Sequence, residues 1–338
     1  MKLYRLPGDN NIDSMVVSEE DVPAPKRGQV LVRMRAVSLN YRDLIIAIGK
    51  YRLAADQVQK IIPVSDGAGE VAEVGEDVTR FRAGDRVVNS FTPGLITGQA
   101  RPESLSRMRG APNDGLLAEY VIFEQEDLLT LPPELSFEEG ACMPCAGVTA
   151  WNALYCGPKP LLPGQKVLVL GTGGVSIFAL QLAHAGGAGV IITSSSDEKL
   201  ERVKKLGAWQ GINYKSHPKW EEEVKRLTGG PGADLTVENG GPGTLAQSVT
   251  ATRFGGCIGM VGVLVHGEIN PINVMHQGII LRSILSGSRD MLEDAVRAYA
   301  YHQLHPVIDK VFPFADAVGA YHYLESAVHV GKIVIVME

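Results

Sequence analysis

Two stretches of this chain carry residues whose types and spacing suit chemistry. The first is Gly171-Thr172-Gly173-Gly174, set between an apolar run at 167–170 and an apolar-periodic segment reaching Ala183. A strand feeding a glycine-rich turn and a helix N-terminus makes a pyrophosphate cradle. Glycine lets the backbone approach the phosphate, and the unpaired helix N–H groups favour negative charge. Gly171, Thr172, Gly173, Gly174 and Val175 are therefore candidate cofactor contacts. The position of the usual third glycine holds Ser176, whose hydroxyl can bond a carbonyl of the preceding turn. The second stretch is Cys142-Met143-Pro144-Cys145. A metal or redox role for it would need a second pair or an electropositive helix N-terminus. Cys156 and Cys257 are the only other cysteines and form no such pair, so all four read as small buried hydrophobes.

The elements that must position the cradle lie on its C-terminal side. Short apolar strands are expected at 167–170, 190–193, 211–213, 234–238, 256–262 and 281–285, with helices at 220–228 and 245–252. In the segment SSSDEKLERVKKLGA, Leu200, Val203 and Leu206 mark one helix face. Ser195 and Glu198 can form a capping box there, and Gly207 can close the end. Six strands separated by helix-length segments imply a doubly wound parallel sheet with the glycine turn after its first strand, where a dinucleotide binds. Residues before Phe123 read instead as β-rich. QVLVRMRAVSL alternates as a half-buried strand does, and GAGEVAEVG is a strand whose glycines suggest a bend or a close backbone approach. Residues 89–114 lose all periodicity. After Ser288 a helix at 291–301, VIDKVF, another helix and GKIVIVM return to the first domain. The expected division is 1–147 with 286–338 as a β-rich catalytic domain, and 148–285 as the Rossmann cofactor-binding domain.

Composition narrows the partners. The chain has 338 residues, 45% hydrophobic and 21% charged, with a net charge of −6. That is an ordinary globular composition whose sign disfavours nucleic acid or a membrane surface. No apolar run approaches the roughly 20 residues needed to span a bilayer. The N-terminus has neither an apolar signal core nor a basic amphipathic face, so a cytoplasmic location is expected.

Over nearly its whole length the chain resembles the medium-chain dehydrogenase/reductase superfamily. The matching pieces are a GroES-like opening with AVSLNYRDL, then SDGAGEV, FRAGDRV, CAGVTAW, GTGGVS and ERVKKLGA, in that order. It is most similar to the zinc-independent branch near the quinone oxidoreductases and the zinc-free alcohol dehydrogenase-like proteins. The resemblance implies that a catalytic zinc would be held at the positions of Asn40, Ser65, Asp66 and Cys145. Only the last keeps a soft ligand, and residues 89–114 contain no cysteine for a structural zinc. The chain is therefore expected to be metal-free.

The same resemblance points to Asn40 and Tyr51 as the catalytic candidates. Asn40 can donate its amide to a carbonyl oxygen or a nicotinamide ribose, and Tyr51 a phenolic proton. The plainer alternative is a turn-forming Asn and a surface Tyr. A nearer tyrosine of the quinone oxidoreductases is Ile45 here, which leaves the proton donor open. Thr149, within CAGVTAW, is a further cofactor candidate. NAD-specific relatives place an acid at the end of the second strand, where this chain has Ser194. That neutral hydroxyl and Lys199 favour NADP(H) over NAD(H), with Tyr214 near the adenine. Val263, Ser286 and Ser288 lie at strand ends suited to the nicotinamide carboxamide, and Arg289 either reaches the phosphates or is exposed. The expected activity is hydride transfer from NADPH to a conjugated carbonyl, an enone or quinone, by a homodimer. The alternatives are zinc-free alcohol/ketone oxidoreduction and a catalytically silent NADPH-binding protein.

Overall fold

The computed structural model describes residues 1–51 and 60–337. The chain divides into two units, residues 1–148 with 287–338 and residues 149–286. In the first, a short antiparallel hairpin pairs β1 (Lys2–Arg5) with β2 (Val16–Glu19). Then follow β3 (Gln29–Leu39), β4 (Asp66–Val74), β5 (Arg86–Asn89), β6 (Tyr120–Glu124) and β7 (Leu128–Thr130). The alternating run QVLVRMRAVSL is the whole of β3. It pairs antiparallel with both β4 and β6, so most of its side chains are buried. The glycines of β4 mark a close approach: a Cβ on Gly69 would stand 2.3 Å from the Arg33 carbonyl oxygen on β3, beside a register shift in that pairing. Helix α1 (Tyr41–Ala47) follows β3 directly. Residues 90–119 are mostly irregular, apart from a short helix at Pro102–Leu105.

The second unit carries six strands: β8 (Lys166–Leu170), β9 (Gly189–Ser194), β10 (Gln210–Asn213), β11 (Ala233–Glu238), β12 (Thr252–Met260) and β13 (Ile280–Ser283). All pair in parallel, in the order β10-β9-β8-β11-β12-β13. This is a doubly wound sheet of Rossmann type. Strand order reverses beside β8, so the turn after β8 lies at the topological switch point. Helices α2 (Gly174–Ala185), α3 (Asp197–Lys205), α4 (Trp220–Leu227) and α5 (Pro242–Ala251) connect the strands. Two expected details change. The cap of α3 is Ser196, whose hydroxyl accepts from Lys199 N at 3.3 Å, and not Ser195. The fifth strand starts at Thr252 rather than Gly256, where the Thr252 and Thr236 hydroxyls bond at 2.7 Å. Gly207 does follow the end of α3 with φ of +100°.

The chain returns to the first unit through α6 (Arg289–Tyr301), β14 (Ile308–Pro313), α7 (Ala317–Glu325) and β15 (Lys332–Val336). Its main sheet runs β14-β15-β3-β4-β5-β7, with β6 also on β3. Strand β15 pairs antiparallel with β3, setting Ile333 against Leu39. The core around this sheet joins Leu3, Val32, Met34, Leu116, Phe123, Tyr321 and Ile335. At roughly 1.5–3 kcal/mol for each fully buried large apolar side chain, this packing fixes the frame on which Asn40 sits.

Candidate active site

In the second unit the glycine turn has the shape its sequence requires. Gly171 takes φ of +76°, which turns the chain sharply out of β8. Its N–H donates to Thr193 Oγ1 at 3.2 Å, tying the turn to β9. A Cβ added to Gly173 would meet nothing within 4 Å. The space beside this helix N-terminus is therefore open, as approach of a phosphate requires. Gly174 and Val175 open α2, and Thr172 is buried. Ser176 is buried too, and its Oγ donates to the Leu170 carbonyl at 2.8 Å. The same oxygen accepts from Asn239 Nδ2 at 2.8 Å, and that amide also reaches Leu170 O at 3.2 Å. Asn239 was not a sequence candidate. Its position after β11 becomes informative only when β11 pairs with β8.

The end of β9 gathers another group of candidates. Ser194 is buried as the last residue of the strand, and its Oγ accepts from Ser196 N at 3.2 Å. Tyr214 N donates to Ser194 O at 3.0 Å, so the half-exposed Tyr214 stands next to this strand end. Asp197 accepts from Asn213 Nδ2 at 2.8 Å and lies in the first turn of α3, where its charge suits the helix dipole. Lys199 is half-buried in the same turn. Thr149 is buried in the helix Val148–Tyr155. Val263 is largely exposed after β12. Ser286 takes φ of +62°, and its carbonyl accepts from Asn152 Nδ2 at 2.6 Å.

Two candidates have structural duties in the first unit. Ser288 caps α6, its Oγ accepting from Met291 N at 3.4 Å. Arg289 is neither simply exposed nor free: Nη1 pairs with Glu126 Oε2 at 2.6 Å, and its N–H donates to Leu95 O. Beyond the end of α6, His305 Nδ1 meets Glu139 Oε1 at 2.8 Å. The sequence separation of that pair hides it from any local pattern.

Asn40 and its surroundings form the polar heart of the first unit. Asn40 precedes α1, and its backbone N–H donates to Asp43 Oδ2 at 2.8 Å, so Asp43 is a helix anchor. Burial raises the Asp43 carboxyl to about 6, opposed by the neighbouring Arg42. Asp66 is fully buried, accepting from Ser65 Oγ at 2.8 Å and from Cys145 N at 2.9 Å. Burial raises its carboxyl as well, and Lys332 is the chief opposing influence. The Cys145 N–H belongs to a π-helical turn, Met143–Gly147, a distortion common at functional sites. Lys332 of β15 is buried. Its Nζ donates to Leu39 O at 2.6 Å and to Asn40 Oδ1 at 2.5 Å. The Asn40 Nδ2 is buried with no hydrogen bond from the chain. Tyr51 is half-buried with the Arg42 guanidinium 5.4 Å from its ring centre, and Ile45 is buried. The only sequence sign of Lys332 was a charge at the start of an apolar strand.

These donors do not fit a tetrahedral zinc ion. Asn40 Oδ1 and the Ser65 hydroxyl are already engaged. Cys145 is the one soft ligand among these four positions, too few to hold a tetrahedral zinc ion. A lysine ammonium in the same cluster repels a cation. Among the described residues no three His, Cys, Asp or Glu side chains are grouped to hold a metal.

Known proteins match both units. A model described as the alcohol dehydrogenase GroES-like domain matches residues 26–133, and one described as zinc-binding dehydrogenase matches 174–300. A zinc-type alcohol dehydrogenase-like protein of Schizosaccharomyces pombe is 42% identical over 335 residues, covering 96% of each chain. A 2-methylene-furan-3-one reductase of Solanum lycopersicum is 30% identical over 340 residues, covering 99% of this chain and 79% of its own. A solved structure of an NAD-dependent alcohol dehydrogenase has a TM-score of 0.90 at 32% identity, covering 100% of both chains. With the β-rich domain, the Rossmann sheet and these relatives in agreement, the chain belongs to the medium-chain dehydrogenase/reductase superfamily of oxidoreductases.

Proposed function

We propose that this oxidoreductase reduces a conjugated carbonyl, an enone or quinone, with NADPH and without zinc. The observation that carries the reading is the Asn40 cluster, where a carboxamide donor stands in place of a metal ligand set and a lysine ammonium occupies its centre. The tomato relative supports the substrate class, since its name specifies an exocyclic enone.

A bound nicotinamide supplies hydride to the β-carbon of the conjugated system. The chain's part is to hold the cofactor at the glycine turn and to stabilise the oxygen on which negative charge develops. Asn40 Nδ2 is the donor we assign to that oxygen, and Tyr51 is the candidate proton donor. At the end of β9, Ser194 leaves room for a 2′-phosphate, with Lys199 a candidate partner and Tyr214 a candidate adenine contact. Gly171, Thr172, Gly173, Gly174 and Val175 are assigned to the pyrophosphate. Thr149, Val263, Ser286 and the Ser288 backbone are assigned to the nicotinamide side. We further propose a cytoplasmic homodimer. Phe254, Met275 and Leu281 are exposed apolar side chains on the second unit, and exposed apolar groups there support an interaction surface.

The test is consumption of NADPH and NADH with 2-cyclohexenone, 1,4-naphthoquinone and cyclohexanone, with product analysis and metal determination. Reduction of the first two with NADPH preferred, at less than a tenth of an equivalent of zinc, is expected. Turnover of cyclohexanone alone would favour the alcohol/ketone reading, and NADPH binding without any turnover the silent one. One equivalent of tightly held zinc, or a tenfold preference for NADH, would overturn the corresponding part. The NAD-dependent solved relative makes the cofactor comparison the more informative arm.

A further inference from the structure

Lys332 is the one buried lysine side chain among the described residues. It enters from β15, and antiparallel pairing with β3 carries it to the end of that strand. Its ammonium donates to the Leu39 carbonyl and to Asn40 Oδ1, 293 and 292 residues away in the chain.

An ammonium has three donors and no acceptor, whereas a carboxamide offers an oxygen on one side and an NH₂ on the other. The two ends of an asparagine side chain are nearly the same shape, so shape alone does not decide which way it points. A lysine facing it does decide, because only the oxygen can meet an ammonium. The opposite end, Asn40 Nδ2, is buried and makes no hydrogen bond within the chain.

We propose that Lys332 is a positioning residue that locks the Asn40 carboxamide with its NH₂ presented as a donor to the substrate oxygen. Without Lys332 the anchor of the Asn40 oxygen is lost, and the amide can offer its carbonyl oxygen, which repels a developing oxyanion. This rests on the assignment of Asn40 in the proposed function, and its test has a readout independent of turnover.

The variants are K332M, K332R, N40L and the double N40L/K332M, each as the full chain with NADPH. With 2-cyclohexenone, K332M is expected to lower kcat roughly 10- to 100-fold, the ratio a charge-assisted hydrogen bond commands. Its NADPH Kd should stay within about twofold of wild type. In the N40L background the same substitution should change kcat less than about twofold, because its target is gone. K332R, another donor-only head, is expected to recover most of the loss. An equal loss in both backgrounds would overturn the proposal, leaving Lys332 a packing residue. Independently, the Asn40 side-chain amide pair in a ¹⁵N-asparagine spectrum, identified by its disappearance in N40L, should shift or broaden in the lysine variant. If K332M does not fold, K332R carries this spectral comparison: it should keep the pair anchored and sharp. An Asn40 pair unmoved by loss of the ammonium, or lost in K332R, refutes the locking. A wild type that reduces nothing in the panel would sink the functional reading, while the spectrum still decides the Lys332–Asn40 arrangement.

Discussion

Replacing Asp43 with Asn changes the pH dependence of stability in a direction that the fold dictates. The Asp43 carboxyl is 2% exposed, and its nearest cationic neighbour, Arg42 Nη1, is 3.8 Å away. Its titration moves from an ordinary 3.8 to about 6, mostly through burial. Between those values the folded chain keeps a proton that the unfolded chain has shed. Stability therefore falls as pH rises through this window and levels off above about pH 6. The carboxylate costs the folded state about 3 kcal/mol at pH 7.5 relative to pH 3.8 or below. Asn at this position can still accept from the Asn40 N–H but does not titrate. Its NH₂ would face Arg42 at a pH-independent cost of about 1 kcal/mol. The stability difference, D43N minus wild type, should thus become more favourable by about 2 kcal/mol between pH 4.5 and 7.5. On a unit of this size that is a swing of roughly 4–8 °C in Tm. All three tryptophans, Trp151, Trp209 and Trp220, lie in the second unit, so their fluorescence does not report on the first. Calorimetry paired with peptide-level hydrogen exchange across 30–47 is the suitable assay. A difference that is flat with pH, or that favours wild type more strongly as pH rises, refutes the reasoning.

Ser176→Ala removes a buried hydroxyl that donates to Leu170 O and accepts from Asn239 Nδ2. Because Asn239 Nδ2 still reaches Leu170 O, no group is newly orphaned, and denaturant unfolding followed by tryptophan fluorescence should show a loss of only about 1 kcal/mol. A loss above about 3 kcal/mol would mean that the clamp matters more than its hydrogen bonds suggest. Glu238→Ala is the contrasting case. Its buried carboxyl group accepts from Gly240 N, Gly241 N, Thr244 Oγ1 and Ser248 Oγ; Thr244 can turn to the Gly241 carbonyl, so truncation strands three donors and should cost about 3–5 kcal/mol in the same assay. Cys142, fully buried, should resist alkylation at pH 8 in the native chain and react readily in denaturant, as mapped by peptide mass. Burial holds its thiol at about 12, and rapid native labelling would contradict that environment.

How much of this was legible in the sequence follows from how local each cause is. The glycine turn was readable because strand, turn and helix N-terminus are contiguous, and φ of +76° at Gly171 is something glycine adopts freely. The six strands were readable for the same reason, since each is a short apolar run between helix-length segments. Their ends shifted where a cross-strand partner extended them, as Thr236 does for Thr252. The cap of α3 moved by one residue because three serines in a row offer equal chemistry, and only backbone geometry selects Ser196.

Local sequence sets the alternation that makes β3, the Rossmann strands and the cradle after β8, because periodicity and turn chemistry act within a few residues. Its resemblance to known families also marked Asn40 and the altered ligand positions. What surrounds Asn40 is set by long-range strand pairing. Lys332 reaches Asn40 from 292 residues away because β15 pairs with β3, and Asn239 reaches Ser176 because β11 lies beside β8. Arg289 is occupied by Glu126 rather than exposed. Contacts of this kind are set by which strands and loops become neighbours, a property of the whole fold that no window of the chain contains.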